Sequence, residues 1–275
     1  MYTVNEFRKK QLELLKWFIS ICEEYHLPYF CVCGTALGAV KYKGYIPWDD
    51  DIDVALPRTA YEKFLEIAPS VLPEHIFLQN YKTDPKFPHI YSKLRDSNTT
   101  FLEDGVAHLD MNHGIYIDVF PLDGYPTTEK GIKKLRWKKK TLLWRVYCAL
   151  KANGSAKVSV RNAFFRFLGC HKRTHKTLAK LDAVYTFYSV EESEIWCNHG
   201  NWQGEKEYAP KWQYGKGMKA EFEGLEVIIP EKYDEYLTQK YGDWRADLPK
   251  EKQVSHHIAR ICDPNKSFVA YQEKK

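Results

Sequence analysis

The sequence predicts an α+β protein: a mixed β-sheet core flanked by helices, with a basic helical insert. Three observations predict it. Short apolar or alternating runs bounded by Gly and Pro recur through the first 125 residues, between stretches of helical periodicity. From about Thr127 the periodicity turns helical, and Lys130 to Lys180 holds 16 Lys or Arg and no Asp or Glu. Strand character returns at Leu225–Ile229. The expected division is a core over residues 1–125, the insert over 126–222 and a return to the core over 223–275.

Each element has its own signal. Val4, Phe7, Leu14, Leu15, Phe18, Ile19 and Cys22 fall at helical spacing and predict an amphipathic helix over residues 4–25. After Pro28, the apolar run Tyr29 to Cys33 ends at Gly34 and reads as a buried strand. Thr35 to Tyr42 reads as a short helix capped by Thr35 and ended by Lys43-Gly44. Ile46 to Leu56 leads through a block of acids into a second strand. Pro57 is placed to open a helix with Tyr61, Phe64, Leu65 and Ala68 on its apolar face. Strands are expected at His75–Tyr81, His89–Arg95 and Gly114–Pro121. In the last, Ile115, Ile117 and Val119 alternate with Tyr116, Asp118 and Phe120. The stretch carrying Thr99, Thr100, Glu103 and Asp104 gives no helical signal. In the insert, Ile132, Leu135, Leu142, Leu143, Val146, Tyr147 and Leu150 mark a helical stripe among lysines. Asn153-Gly154-Ser155 breaks it, and Ala163–Leu168 and Leu178–Tyr188 follow as helical segments. Pro230 starts a last helix carrying Tyr233, Tyr236, Leu237 and Tyr241.

Composition narrows the class. At 275 residues, 44% hydrophobic and 28% charged, the chain is globular rather than disordered. Taking the insert's +16 from the net charge of +5 leaves −11 for the remainder, a cationic segment spliced into an acidic protein. No run approaches 18 apolar residues, so no membrane-spanning helix is expected. The N-terminus carries Glu6 and Glu13 where a signal peptide would be apolar. Seven scattered cysteines read as reduced thiols, and with the missing leader they predict a cytoplasmic protein. Cys31 and Cys33 read as buried thiols rather than zinc ligands, because no second pair accompanies them.

The chemistry concentrates in Asp49-Asp50-Asp51-Ile52-Asp53. Alternate residues of a strand share a face, so Asp51 and Asp53 would point together, about 7 Å apart at Cα, while Ile52, Val54 and Leu56 face the core. Such a pair can hold Mg²⁺ or Mn²⁺ with oxygens at roughly 2.1 Å. Four adjacent acids repel one another unless a cation relieves them. An EF-hand is excluded: counting Asp49 as first, the sixth and twelfth positions are Val54 and Ala60, where Gly and Glu are required. Gly34-Thr35 at a helix start offers backbone amides to a phosphate. Asp118, inside an alternating strand, is the third acid. Asp123 follows it, with an ordinary Asp-Gly turn as its other reading. Acids for a metal and amides for a phosphate make a phosphoryl- or nucleotidyl-transfer site.

The blocks Gly34-Thr35-Ala36-Leu37-Gly38-Ala39-Val40, Lys43 through Asp53 and Gly114 through Asp123 closely resemble the LicD family. Tyr233 through Leu237 with Tyr241-Gly242-Asp243 resembles it more loosely. The resemblance spans about residues 20–250. It implies a nucleotidyltransferase-like fold. It also implies transfer of a phospho-alcohol, usually phosphocholine, from a CDP-alcohol such as CDP-choline to a sugar hydroxyl of a cell-surface glycan or its lipid-linked precursor. Fukutin-type phosphoribitol transferases share the D-x-D-x-D pattern. By resemblance Asp51 and Asp53 are metal ligands, Asp49 supports them and Asp118 matches the later acid.

Other residues stand around this site. Lys93 and Arg95 share a strand face and either neutralise a diphosphate or form a solvated face. Lys41 and Lys43 serve likewise or balance the acids. Asp50, Asp123 and Trp48 are supporting candidates, with Trp48 expected to pack in the core beside Pro47 and base stacking its alternative. His256 and His257 read as surface residues. The insert's lysines, with Trp137 and Trp144, are solvated, bind an anionic acceptor or lie at an anionic membrane surface. No nucleic-acid motif occurs. Two alternatives stand beside the main reading. One is a small-molecule nucleotidyltransferase releasing pyrophosphate; the other is a non-catalytic module binding anionic glycan or membrane.

Overall fold

The periodic N-terminus forms helix α1 (Val4–Glu24). It buries Phe7, Leu14, Leu15, Phe18 and Cys22 on one stripe. The computed structural model describes residues 4–153, 167, 174–200, 207–254 and 259–272. After α1 come β1 (Phe30–Cys31), α2 (Cys33–Tyr42), β2 (Asp53–Pro57) and α3 (Arg58–Val71). Strands β3 (Ile76–Gln79), β4 (Ser92–Asp96), β5 (Thr100–Glu103) and β6 (Ile115–Tyr125) follow. Phe18 of α1 meets Phe64 of α3 at 5.2 Å and Tyr29 edge-on at 5.3 Å. Burying such a ring contributes about 1.5–3 kcal/mol.

Helix α4 (Glu129–Asn153) and α5 (Thr174–Tyr185) form the insert. The chain returns through β7 (Ile195–Cys197), β8 (Tyr208–Pro210), α6 (Lys211–Tyr214), β9 (Met218–Phe222) and β10 (Leu225–Ile229). Helix α7 (Tyr233–Tyr241), a 3-10 turn at 250–252, β11 (Ala259–Asp263) and α8 (Val269–Gln272) complete it. Among the described residues no helix is long and apolar enough to cross a membrane.

The main sheet runs β1-β2-β6-β4-β3, with β7 on the far half of β6 and β8 on β7. Only β2 and β6 pair in parallel within it; the sheet is therefore mixed. Strands β9 and β10 form a hairpin whose two turn residues, Glu223 and Gly224, have φ of 50° and 76°, the conformation a two-residue turn requires. Strand β11 pairs with β5.

One large cluster fills the core, from Leu14 to Trp244, and includes Phe222, Val227, Ile229 and Leu237 from the C-terminal part. A second lies under the insert: Leu135, Val146, Leu178, Leu181 and Tyr185 pack with Tyr81, Ile90, Tyr125 and Cys197. The expected apolar stripe of α4 is thus narrower than the sequence suggests. Leu143 and Tyr147 are exposed, because a helix that rests on one cluster buries only the residues on that side. The Ala163–Leu168 segment, the Leu150 side chain, Cys170, and His256 and His257 lie outside what is described.

Thr35 is not the cap of α2. The helix starts two residues earlier with Val32 at its cap position, and the Thr35 hydroxyl instead accepts a bond from the Asp53 amide at 2.8 Å. Asp51 precedes β2 rather than lying in it.

Candidate active site

Parallel pairing sets Asp53 of β2 beside Asp118 of β6, and antiparallel pairing sets Lys93 of β4 on the other side of Asp118. Residues in lateral register share a sheet face, and neighbouring strands lie about 4.8 Å apart. An acid, an acid and a lysine thus form a row across three strands. The Lys93 ammonium is 2.8 Å from Asp118 Oδ1 and 3.2 Å from the centre of the Tyr116 ring.

Helix α1 holds the other acids in place. Arg8 Nη2 donates to the carbonyls of Pro47 at 3.1 Å and Asp49 at 2.9 Å. Gln11 Nε2 donates to the carbonyls of Asp50 at 3.0 Å and Tyr116 at 3.1 Å. These bonds satisfy loop carbonyls that would otherwise be buried unpaired. A Cβ on Gly34 would stand 2.5 Å from Asp49 Oδ2, so only glycine lets that carboxylate lie against the first turn of α2. There the helix presents its positive end.

A cavity of about 540 Å³ opens at this point, and Asp49, Asp51, Asp53 and Asp118 all line it with Gly34. Burial and the mutual repulsion of the four acids hold the Asp51 and Asp53 carboxyls well above the usual carboxylate range. For Asp53, burial comes first, then the charges of Asp118 and Asp49; Lys240 and a hydrogen bond from Cys33 oppose the rise. Such a set calls for a cation. Among the described residues no three His, Cys, Asp or Glu converge closely enough to hold a metal ion by themselves. Magnesium binds through one or two carboxylates and keeps its other positions for water and substrate phosphates. The donor set fits a divalent ion held by Asp51 and Asp53 with Asp118 and Asp49 beside them.

Several expected site residues are placed otherwise. Lys93 stands beside Asp118 and does not line the cavity. Arg95, fully buried, donates to Gln79 Oε1 at 2.5 Å and to the Gly114 carbonyl at 2.6 Å, so its guanidinium braces the sheet instead of facing a diphosphate. Asp123 is inside β6, not in a turn, and accepts both arms of the Arg58 fork at 2.6 and 2.9 Å. Asp50 and Thr35 are not in the cavity wall. Trp48 is, against the expectation of core packing: it stands edge-on to Tyr42 with ring centres 6.5 Å apart. Lys41 reaches over the cavity edge and donates to the carbonyls of Arg245 at 2.9 Å and Ala246 at 3.0 Å, while Lys43 pairs at 3.6 Å with Glu221.

Sequence reasoning missed Tyr91, Phe120, Gly200, Tyr241, Asp243 and Trp244 in the wall. Two had a usable signal. Phe120 is two residues from Asp118, and Tyr91 two from Lys93, so strand alternation puts each on its neighbour's face. Cys33 was read only as a buried thiol, yet its φ of 52° opens α2 at the cavity and its amide donates to the Tyr236 hydroxyl at 3.3 Å.

Comparison with known proteins agrees with this geometry. Residues 26–142 match the family described as "LicD/FKTN/FKRP, nucleotidyltransferase domain". The chain is 29% identical over 263 residues to the lipopolysaccharide cholinephosphotransferase LicD of Haemophilus influenzae, covering 93% of this chain and 96% of that one. It is 27% identical over 114 residues to the uncharacterized protein RP689 of Rickettsia prowazekii, covering 42% of this chain and 39% of that one. The segment that matches the LicD-type nucleotidyltransferase domain contains Asp49, Asp51, Asp53 and Asp118, the four acids of the cavity wall.

Proposed function

We propose that the protein is a metal-dependent transferase that moves a phospho-alcohol, phosphocholine first among them, from a CDP-alcohol to a sugar hydroxyl of a glycan. Lipopolysaccharide, named for the Haemophilus relative, is the acceptor class it suggests. The observation that carries the reading is the four-acid cavity on adjacent strands, set against the amino end of α2. The fold it rests on is nucleotidyltransferase-like.

The diphosphate enters beside Gly34, whose amide in the first turn of α2 donates to a phosphate oxygen. Asp51 and Asp53 would hold a magnesium or manganese ion, which when bound would supply positive charge to offset the diphosphate. Asp118, fixed in place by Lys93, accepts the proton of the sugar hydroxyl. The sugar oxygen bonds to the phosphorus bearing the alcohol, the bridging phosphorus–oxygen bond breaks, and CMP leaves with that oxygen. Work at the inner face of the cell membrane suits α4, whose Lys and Arg flank exposed Trp137 and Trp144.

A product assay tests this reading. CMP release from CDP-choline, with a sugar acceptor and magnesium, is the expected result. Pyrophosphate from a nucleoside triphosphate, without CMP from any CDP-alcohol, would instead establish ordinary nucleotidyl transfer. Salt-sensitive glycan or vesicle binding with no turnover would leave a binding module.

A further inference from the structure

The cavity has a second chemical character beside its acids. Tyr42 and Trp48 from the α2 side, and Tyr241 at the end of α7 with Trp244 just after it, line it together with Asp243. The two sides are tied: Lys41 donates to the Arg245 and Ala246 carbonyls and pairs at 2.8 Å with Asp247. Trp244 is anchored by donating its indole N–H to Asp234 at 3.0 Å, and Arg245 already lies 4.3 Å over its ring, so this aromatic surface receives a cation within the chain itself. Tyr241 and Asp53 line the same cavity.

What lines the cavity selects among ligands. Among the described residues the polar side chains of its wall are Asp, Tyr and Lys41, with no Ser, Thr, Asn, Gln or His, and the aromatic rim holds only Tyr hydroxyls and Asp243 beside its rings. A polyol presents several hydroxyls, each of which must find a partner on leaving water. A trimethylammonium group neither donates nor accepts a conventional hydrogen bond; it carries a diffuse positive charge under a methyl surface. Aromatic faces attract it, and a nearby carboxylate adds charge without a geometric demand. Asp243 makes no salt bridge among the described residues and lines the same wall.

We propose that Tyr42, Trp48, Tyr241 and Trp244, with Asp243, form a quaternary-ammonium subsite that takes the choline end of the donor and sets the alcohol specificity. The assignment rests on the phospho-alcohol transfer proposed above. It places the head group at the aromatic rim, with the diphosphate between that rim and the acids.

The test compares CDP-choline, CDP-ethanolamine and CDP-ribitol as donors for the wild type, Trp48→Leu and Trp48→Phe, each checked for folding by circular dichroism. A desolvated cation–π contact of about 2 kcal/mol corresponds to a roughly 30-fold change in affinity. Trp48→Leu should therefore raise KM for CDP-choline about 30-fold with kcat little changed, Trp48→Phe should restore most of it, and KM for CDP-ethanolamine should move less. Preference of the wild type for CDP-ribitol, or an equal rise in KM for every donor, overturns the subsite while the transfer reading stands. If no donor releases CMP, the transfer reading fails and calorimetry with tetramethylammonium chloride decides the subsite. Saturable binding lost in Trp48→Leu supports it, and no saturable binding overturns it.

Discussion

The acid cavity and the basic helix α4 carry opposite charge and are built on opposite principles. The acids sit where solvent is scarce, and other elements hold them: Lys93 of β4 meets Asp118, Thr35 of α2 the Asp53 amide, and Arg8 and Gln11 of α1 the carbonyls of Asp49 and Asp50. On α4, Trp137 is 72% exposed and Trp144 58%, and Lys133 meets Glu129 only as a solvent-exposed pair one turn away. Charge kept in a buried place at an electrostatic cost marks chemistry. Exposed charge is inexpensive, and gains meaning on α4 only from the large aromatics beside it.

The sharpest way to break the contrast is to remove one buried acid. Asp53→Asn should lower turnover by about 10³-fold or more, a loss of the size expected when a charge-stabilising group is deleted from an active site. Chelation with EDTA should do the same reversibly, magnesium restoring the wild type alone. Without metal, the variant should melt higher, by about 2–4 °C per kcal/mol of relieved repulsion. A lower melting temperature would show that the acids do not repel in the folded state.

Asp123→Ala tests whether buried charge is also structural, since it removes the bidentate partner of the buried Arg58 and leaves that guanidinium to Glu62 at 3.0 Å and Asp182 at 3.3 Å. It should cost about 3–5 kcal/mol in a urea titration. Replacing Lys138, Lys139 and Lys140 with Gln tests the other region. Binding to anionic vesicles should weaken by about 1 kcal/mol per lysine near the surface, while CMP release with a soluble acceptor is unchanged. Undiminished vesicle binding would reduce α4 to a solvated face.

The smallest effect is expected at the margin of the cavity. Burial, then the Lys93 charge, pushes His89 down to about 4, so the folded protein holds it neutral while the unfolded chain protonates near pH 6.5. The unfolded state then binds more protons, and stability falls as pH drops from about 6.5 to 4. His89→Phe should flatten that part of the curve of urea midpoint against pH.

What the sequence disclosed follows from how local each signal is. Helices α1 and α3, strand β10 and the row of acids announce themselves through periodicity or residue type within one window. Strand β9 is largely exposed and polar, and β7 and β8 have three residues each, too few for a pattern. The acids were legible but their supports were not: Arg8 and Gln11 act on carbonyls about 40 residues away. Trp244 and Asp243 stand at the cavity in a segment that Lys41, some 200 residues distant, helps to fasten. Arg95 and Asp123 look in sequence like site residues because a buried structural ion and a catalytic one share the same letters.

Strand β6 has one more consequence. Its last residues pair with β7, Tyr125 opposite Ile195, so residues 126–194 leave the sheet and rejoin it at facing positions. A segment whose two ends are already neighbours can be lengthened, shortened or exchanged at the modest entropic cost of a loop, with no shift in strand register. Asp118, seven residues upstream of that exit, would keep its place. The length and sequence of that segment are free to drift like an interchangeable tool head, while the strands that carry the acids stay fixed.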